Sequence, residues 1–393
     1  MGCSLIENYK YLYRVNPEGF KELFIPMITH YIPIGVSIAY TLLIQLRVTS
    51  LRNMMLLNGS GAVLGGLLLY FIIRGWLRIN DAKKLLLISK FVMVINRISV
   101  FLLLIFPDKW FTPLLLITSV YTGMVTFPLL NSSIQYVVFK RYDLKNKARI
   151  TNAFLTTFNI TVITITFLMS LLYDYMVYIY FLVILFEFIS FTTFFKVKGD
   201  FTIEHSNIKM IEYFDRDDLK LFLFIFIFSV SLSLISFIKP VVFKSIGEQY
   251  VGLLFSIAGI LSVIISYYSL KTFTGDNTLG KTFITLLTIG LLFIISYNHP
   301  YLQILTILLA PPLISTSSFS YRHLVYTKNG GDSVWTTTAF NEFVRASTNI
   351  ILPLLAIIPS MNKDYLIVSI GIILLLTSYM IHTTKSSFMR TFN

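Results

Sequence analysis

Two ionisable residues interrupt an apolar run near the C-terminal end of the chain. The stretch FNEFVRASTN, residues 340–349, places Glu342 and Arg345 three positions apart. On a helix that spacing puts both on one face. Asn341, Asn349 and Thr338 extend the face. Counted from Trp335 at about 1.5 Å per residue, the pair lies roughly 10–15 Å deep in a hydrocarbon layer about 30 Å thick. An isolated charge at that depth costs on the order of 2.5–3.5 kcal/mol on insertion scales, so it faces a bundle interior or a wet cavity. Two chemistries fit. The pair can be a mutual ion bridge that only sets helix packing. Alternatively, Arg345 binds an anionic group and Glu342 carries a proton, taken up once a substrate anion has claimed the guanidinium.

Other polar residues within apolar runs supply further candidates. Asn152, Thr156 and Asn159 share a face in NAFLTTFN, and Asn131 and Gln135 share one in an earlier run. Each set reads either as cavity lining or as interhelical hydrogen bonding. His30, beside Pro33 and Gly35, is a packed neutral imidazole or a proton or substrate contact. Arg97 and Glu187 lie deep in their runs, where a charge facing lipid is costly, so each needs a partner. A structural role is expected for both, with a proton relay open for Glu187. Lys90 also falls within a run. His205, His299, His323 and His382 fall in loops or at helix ends. SYYS (266–269) and STSSFSYRH (315–323) read as a cavity mouth or gate. Gly61 and Gly65 in NGSGAVLGG have the small-xxx-small spacing that lets membrane helices approach closely.

These residues must be positioned by membrane helices. The chain has 393 residues, of which 55% are hydrophobic and 13% charged. Soluble domains carry about 25% charged residues. Apolar runs of helical, bilayer-crossing length occur at about 24–46, 54–73, 85–106, 112–138, 150–171, 176–195, 219–238, 250–270, 282–297, 301–324, 334–358 and 364–382. They are continuous rather than alternating, which excludes a β-barrel. The expectation is an all-α integral membrane protein of about twelve transmembrane helices. The longest polar segment divides it into 1–196, a central loop at 197–218, and 219–393. The first 20 residues lack an apolar core, so no cleavable leader is expected.

Lys and Arg alternate strongly between connecting segments. Arg47, Arg52, Lys109, Lys239, Lys244 and Lys363 occupy one set, and Lys90, Arg97 and Arg345 lie in spans. The rest of the 32 fall in the other set, with both termini. Basic loops stay in the cytoplasm, so both termini are expected there, in a cytoplasmic membrane. The net charge of +13 is accounted for by orientation and attraction to anionic lipid. It is spread over many loops, which argues against a nucleic-acid partner.

A weak internal repeat is also present. At an offset of 186, TNAF (151–154) falls on TTAF (337–340), Asn131-Ser132 on Ser317-Ser318, and Asn159 on Arg345. The 6+6 layout, the basic central loop and this echo resemble the major facilitator superfamily. So does the stretch 219–264, with Tyr250, Gly252, Leu253, Gly259 and Ile260. GWLRINDAKK (75–84) keeps Gly75, Leu77, Lys83 and Lys84 of the helix 2–3 loop signature, with Asp81 two places late. Ile79, Asn80 and Ala82 depart from it. Helix 5 lacks the Gly-Pro signature of drug–proton exchangers. The resemblance implies two pseudo-symmetric six-helix bundles, a cavity bordered by helices 1, 5 and 11, and a monomer.

No phosphate-binding loop, zinc spacing or nucleophile elbow occurs, and the single Cys3 cannot form an internal disulfide. No cofactor, metal or enzymatic activity is expected. The reading is a secondary active transporter of a small molecule, proton-coupled and exporting, with membrane lipid as its other partner. Alternatives are a lipid or lipid-linked glycan flippase and a non-transporting scaffold. An intramembrane acyltransferase would need a nucleophile–base pair that the sequence does not show.

Overall fold

The computed structural model describes residues 10, 13–14, 16–141, 147–203, 216–272, 278–311, 313–314, 334–359 and 361–391. Side chains are described for these except 147–156, 216–225, 266–272, 278–281, 334–338, 340–341 and 382–391. The helices are α1 (Pro17–Gln45), α2 (Leu51–Ile73), α3 (Ala82–Ile105), α4 (Thr112–Arg141), α5 (Lys147–Leu171), α6 (Met176–Phe195), α7 (Arg216–Phe243), α8 (Val251–Thr272) and α9 (Thr278–Ile295). They continue with α10 (Pro300–Pro311), α11 (Val334–Ser347) and α12 (Lys363–Thr391). A 3₁₀ turn, Thr348–Ile350, and a short helix, Ile351–Ala356, follow α11. Among the described residues, eight helical stretches are long and apolar enough to cross a membrane, and three shorter apolar helices accompany them. The far part of the run expected at 301–324 lies outside the described residues, as does all of STSSFSYRH.

Local chemistry sets the helix starts. Asn16 Oδ1 accepts from Gly19 N at 2.8 Å, and Pro17 opens α1. Ser50 Oγ accepts from Asn53 N at 3.2 Å to begin α2. Asp81 accepts from the amides of Lys83 and Lys84 to begin α3. Each cap satisfies amides that have no partner within their helix.

The helices are inside-out relative to soluble ones. On α3, Lys90, Met93, Asn96, Arg97 and Val100 are buried, while Ile88, Phe91, Ile95 and Ile98 are exposed. On α6, Tyr180, Val183, Glu187, Ser190 and Phe194 are buried, while Tyr178, Phe181, Leu185 and Phe188 are exposed. Water would reverse that choice; lipid accepts the apolar face and expels the charge. Trp76, Trp110, Tyr178 and Tyr301 stand out from helix ends and connections, most of all Trp110 at 90% exposure. Amphipathic rings favour the headgroup level. The protein is a multi-pass membrane protein.

Two compact units divide the chain. The first comprises Met1–Ser206 with Asp332–Ser347, so α11 belongs with α1 to α6, where it packs on α2 and α4. The second comprises Asn207–Gly331 with Thr348–Asn393.

In the first unit α2 meets α4 backbone to backbone. A Cβ on Gly65 would lie 2.5 Å from the Val125 carbonyl oxygen, and one on Gly66 3.1 Å from Ala346 Cβ of α11. Close packing at the Gly61/Gly65 stripe is thus realised against α4. In the second unit α9 and α12 cross at Gly290 and Gly371, where a Cβ on Gly371 would be 2.8 Å from the Gly290 carbonyl. Ser233 of α7 and Thr348 share a 3.0 Å hydrogen bond, and Gln303 donates to Asp364 at 2.7 Å. Lys239 of α7 stands over the Phe255 ring, 4.5 Å from its centre.

The segment 197–203, after α6, packs into the first unit. Val197, Phe201 and Ile203 are buried in the same core as Leu85, Leu86 and Val138. Ala82 N donates to Phe201 O at 3.0 Å and Ile203 N to Asn80 O at 2.9 Å. These bonds flank an isolated antiparallel bridge between Asp81 and Thr202. Tyr136 donates its hydroxyl to Thr202 O at 2.7 Å. Lys83 Nζ donates to the carbonyls of Phe195 and Val197, at 2.9 and 2.6 Å, at the α6 C-terminus. A cation there complements the helix dipole. The loop-signature residues therefore have visible roles: Gly75 turns the chain at φ +70, Asp81 caps α3, and Lys83 ties α6. Lys84 contributes only its backbone amide to the Asp81 cap.

Candidate functional site

Glu342 lies on α11 facing α4. Its carboxylate is nearly enclosed, with 8% side-chain exposure. Asn131 Nδ2 donates to Oε2 at 3.4 Å and Gln135 Nε2 to Oε1 at 3.3 Å. Asn131 and Gln135 are four apart on α4, so one helix face offers both amides. Arg345 Nη1 lies 3.9 Å from Oε1, at the outer limit of an ion pair, and its side chain is 59% exposed. Its guanidinium stands 5.5 Å over the Phe127 ring of α4. Tyr70 of α2 meets the Phe343 ring at 5.5 Å, which fixes the adjoining turn of α11.

The electrostatics are uneven. Each carboxylate oxygen has its own neutral donor, so the buried charge does not depend on the guanidinium for hydrogen bonding. Arg345 instead presents most of its surface outward while its plane rests on an aromatic face, a favourable contact for a cation. The group on display is cationic; the acid is held behind it.

Not all of the expected polar face assembles here. Asn349 falls in the 3₁₀ turn beyond α11, within the second unit. A 3₁₀ turn advances by three residues rather than 3.6, so the helical face does not run on to it. Asn159 is half-buried on α5, and no hydrogen bond joins it to Glu342 or Arg345 among the described residues. The side chains of Asn341, Asn152 and Thr156 lie outside the described residues. Phe127 is a contributor that sequence reasoning missed. An isolated Phe among 35 carries no signal until a cation is found over it.

A second polar cluster occupies the interior of the same unit. Lys90 Nζ donates to Glu187 Oε1 at 2.6 Å and lies 2.7 Å from His30 Nδ1. Arg97 Nε donates to Glu187 Oε2 at 3.4 Å, and Arg97 Nη1 to Asn96 Oδ1 at 2.9 Å. Asn96 Nδ2 donates to Ser119 O, and Gln45 Nε2 to Ser119 Oγ at 3.0 Å. A Cβ on Gly123 would crowd Asn96 Nδ2 at 2.9 Å, so glycine makes room for that amide. Lys90 has no exposed surface and Glu187 only 1%. Arg97 and Glu187 thus meet as partners within one unit. His30 belongs to this cluster, enclosed against Lys90, rather than to the Glu342 site. Lys90 was legible as an intramembrane charge, seven residues from Arg97 and so on the same α3 face. Its pairing required the positions of α1 and α6.

Among the described residues, no three His, Cys, Asp or Glu side chains gather as a metal site.

No family model matches the chain, and no curated protein matches it in sequence. Its fold does match solved transporters. A bacterial homologue of the iron transporter ferroportin, in an outward-facing state, aligns with TM-score 0.63 at 15% identity, covering 94% of this chain and 99% of that one. A POT family transporter in complex with a thioalcohol-conjugated peptide aligns with TM-score 0.67 at 11% identity, covering 93% and 96%. A D-xylose–proton symporter gives 0.63 at 12%, covering 92% and 96%. The chain therefore has the major-facilitator-like fold that its sequence resembles, in a divergent version. The neighbours are transporters with dissimilar cargoes, so the fold alone selects none of them for this chain.

Proposed function

We propose that the chain is a secondary transporter of a small molecule, working by alternating access, with Glu342 and Arg345 in its binding and coupling site. One observation carries this reading: a nearly enclosed carboxylate is satisfied by Asn131 and Gln135, while its neighbouring guanidinium is largely exposed. That geometry suits an anionic group of the cargo binding to Arg345 and a proton joining Glu342 as the pair separates. A purely structural bridge would bury both partners against each other.

The finer architecture belongs to the same proposal: twelve spans in two pseudo-symmetric six-helix halves, 1–196 and 219–393, joined through 197–218. The skew of Lys and Arg supports both termini in the cytoplasm and a cytoplasmic membrane. The proposed direction is export, the coupling ion is the proton, and the protein acts as a monomer.

The test is accumulation of a compound panel in cells making the wild type, Glu342→Gln or Arg345→Ala. The panel holds dyes, lipophilic cations, organic anions and sugars, each with and without a protonophore. A shift in some compound's distribution that is abolished by the protonophore and by Glu342→Gln supports the proposal. Transport that is unchanged in both variants refutes this site.

A further inference from the structure

We infer that His30, Lys90 and Glu187 form a proton-binding centre inside the first unit, separate from Glu342. The three side chains come from α1, α3 and α6 and stand in line at 2.7 and 2.6 Å. All are buried, with residue exposures of 2%, 0% and 1%.

The charges do not balance as a packing device would require. Glu187 is already paired with Arg97 through its second oxygen, and a guanidinium stays charged in proteins. Lys90 is a second cation on the same carboxylate. Each uncompensated buried ion costs several kcal/mol, and one cation per carboxylate would avoid that cost. His30 is likewise in excess of what pairing needs. Its Nδ1 can accept from the Lys90 ammonium only when that nitrogen carries no proton. The arrangement therefore sets an acid, Lys90, against a vacant ring nitrogen on one side and a carboxylate on the other. One proton can shift among the three with little heavy-atom movement, and its loss removes the excess charge.

Arg97 closes the line at one end. It holds Glu187, Asn96 and, through Asn96, Ser119, and neither a guanidinium nor an amide passes the proton on. Glu18, Lys21 and Glu22 of α1, Lys83 and Lys84 of α3, and Lys140 and Arg141 of α4 lie toward the helix ends; nearer the cluster the other titratable groups are tyrosines. Tyr31 and Tyr40 lie on α1, and Tyr180 on α6 bonds Thr41 at 3.1 Å. Tyr121 and Tyr136 on α4 are engaged with Ser60 and Thr202 O. The described α5 side chains, from 157 on, add none. His30 also sits between Pro26 and Pro33 of α1. Each proline removes a helix hydrogen bond, and α3 and α6 contain none, so of the three helices that supply the centre α1 is the least constrained by its own backbone.

The test needs no cargo. The full chain, labelled with ¹⁵N-histidine and held in lipid nanodiscs, is titrated by NMR from about pH 5 to 9, where histidine titrates. The His30 signals are identified by their loss in His30→Gln. The expected result is an unprotonated Nδ1 at the high-pH end and a single pH-dependent step. In Lys90→Met or Lys90→Arg that step moves by at least about tenfold in proton concentration, or disappears; in Glu342→Gln it persists. His30 signals that stay constant across the range in the wild type overturn the proposal, as does a step left in place by both Lys90 variants.

Discussion

Replacing Glu187 with Gln removes the one carboxylate that two buried cations share. Lys90 and Arg97 would then face each other through neutral groups in a medium that cannot solvate them. Breaking a buried ion pair by deleting one partner costs about 3–5 kcal/mol, equivalent to roughly two to four decades in the folded ratio at 1.36 kcal/mol per decade. Lys90→Met should behave differently. It forfeits a charge-assisted hydrogen bond, about 1.5–3 kcal/mol. It also relieves the burial of the surplus ammonium, a cost of several kcal/mol in the other direction, and leaves Arg97 and Glu187 as a balanced pair. The two effects nearly cancel, so Lys90→Met should stay within about 1.5 kcal/mol of the wild type. The assay is the fraction of monodisperse protein recovered after graded heating, read by fluorescence-detected size exclusion. Glu187→Gln should fall off at markedly lower temperature than Lys90→Met. Equal damage from both substitutions would refute the charge count, because Lys90 would then be required rather than surplus.

Two further outcomes follow from the packing of the first unit. Gly65→Val should cost at least about 1–3 kcal/mol through overpacking, because the new Cβ would press on the Val125 backbone, 2.5 Å from its carbonyl oxygen. Gly66→Ala, whose tightest contact would be Ala346 Cβ at 3.1 Å, should be milder in the same heating assay. At the strap over α3, the hydroxyl and amide of Thr202 donate to Asp200 and hold its carboxyl below the usual range. A carboxyl lowered in the folded state contributes stability that is present above its ordinary value and is lost as pH falls through the lowered one. Protection of 197–203 from hydrogen exchange should therefore persist through mild acid in the wild type and fail at a higher pH in Thr202→Val; identical acid limits would contradict the assignment.

The sequence by itself determined the class of protein. Thirteen per cent charge and long apolar runs leave no way to cover a water-facing surface, so membrane helices follow from composition and run length alone. It also marked residues whose burial calls for compensation. Glu342, Arg345, Arg97, Glu187 and Lys90 stand out because hydrocarbon penalises each charge wherever it ends up. The apolar runs from about 24, 54 and 85 located the first three helices, while their starts after Asn16, Ser50 and Asp81 are set by local caps.

Only the tertiary structure decided who meets whom. In the sequence Glu342 had one visible partner, Arg345; in the fold, Asn131 and Gln135, over 200 positions away, take its oxygens and Arg345 turns toward Phe127. Arg97 and Glu187 each called for a partner, yet nothing local could say that Lys90 would share the Glu187 carboxylate with Arg97, or that His30 would meet Lys90. Likewise, 197–203 reads as polar loop beside KVKGD, although Val197, Phe201 and Ile203 are core. The physical reason is the same in each case. The cost of burying a charge or exposing an apolar ring belongs to the residue and is written in its type. The compensation belongs to the helix that happens to lie opposite, and helix-to-helix geometry depends on contacts such as Gly65 on Val125 that no single segment contains.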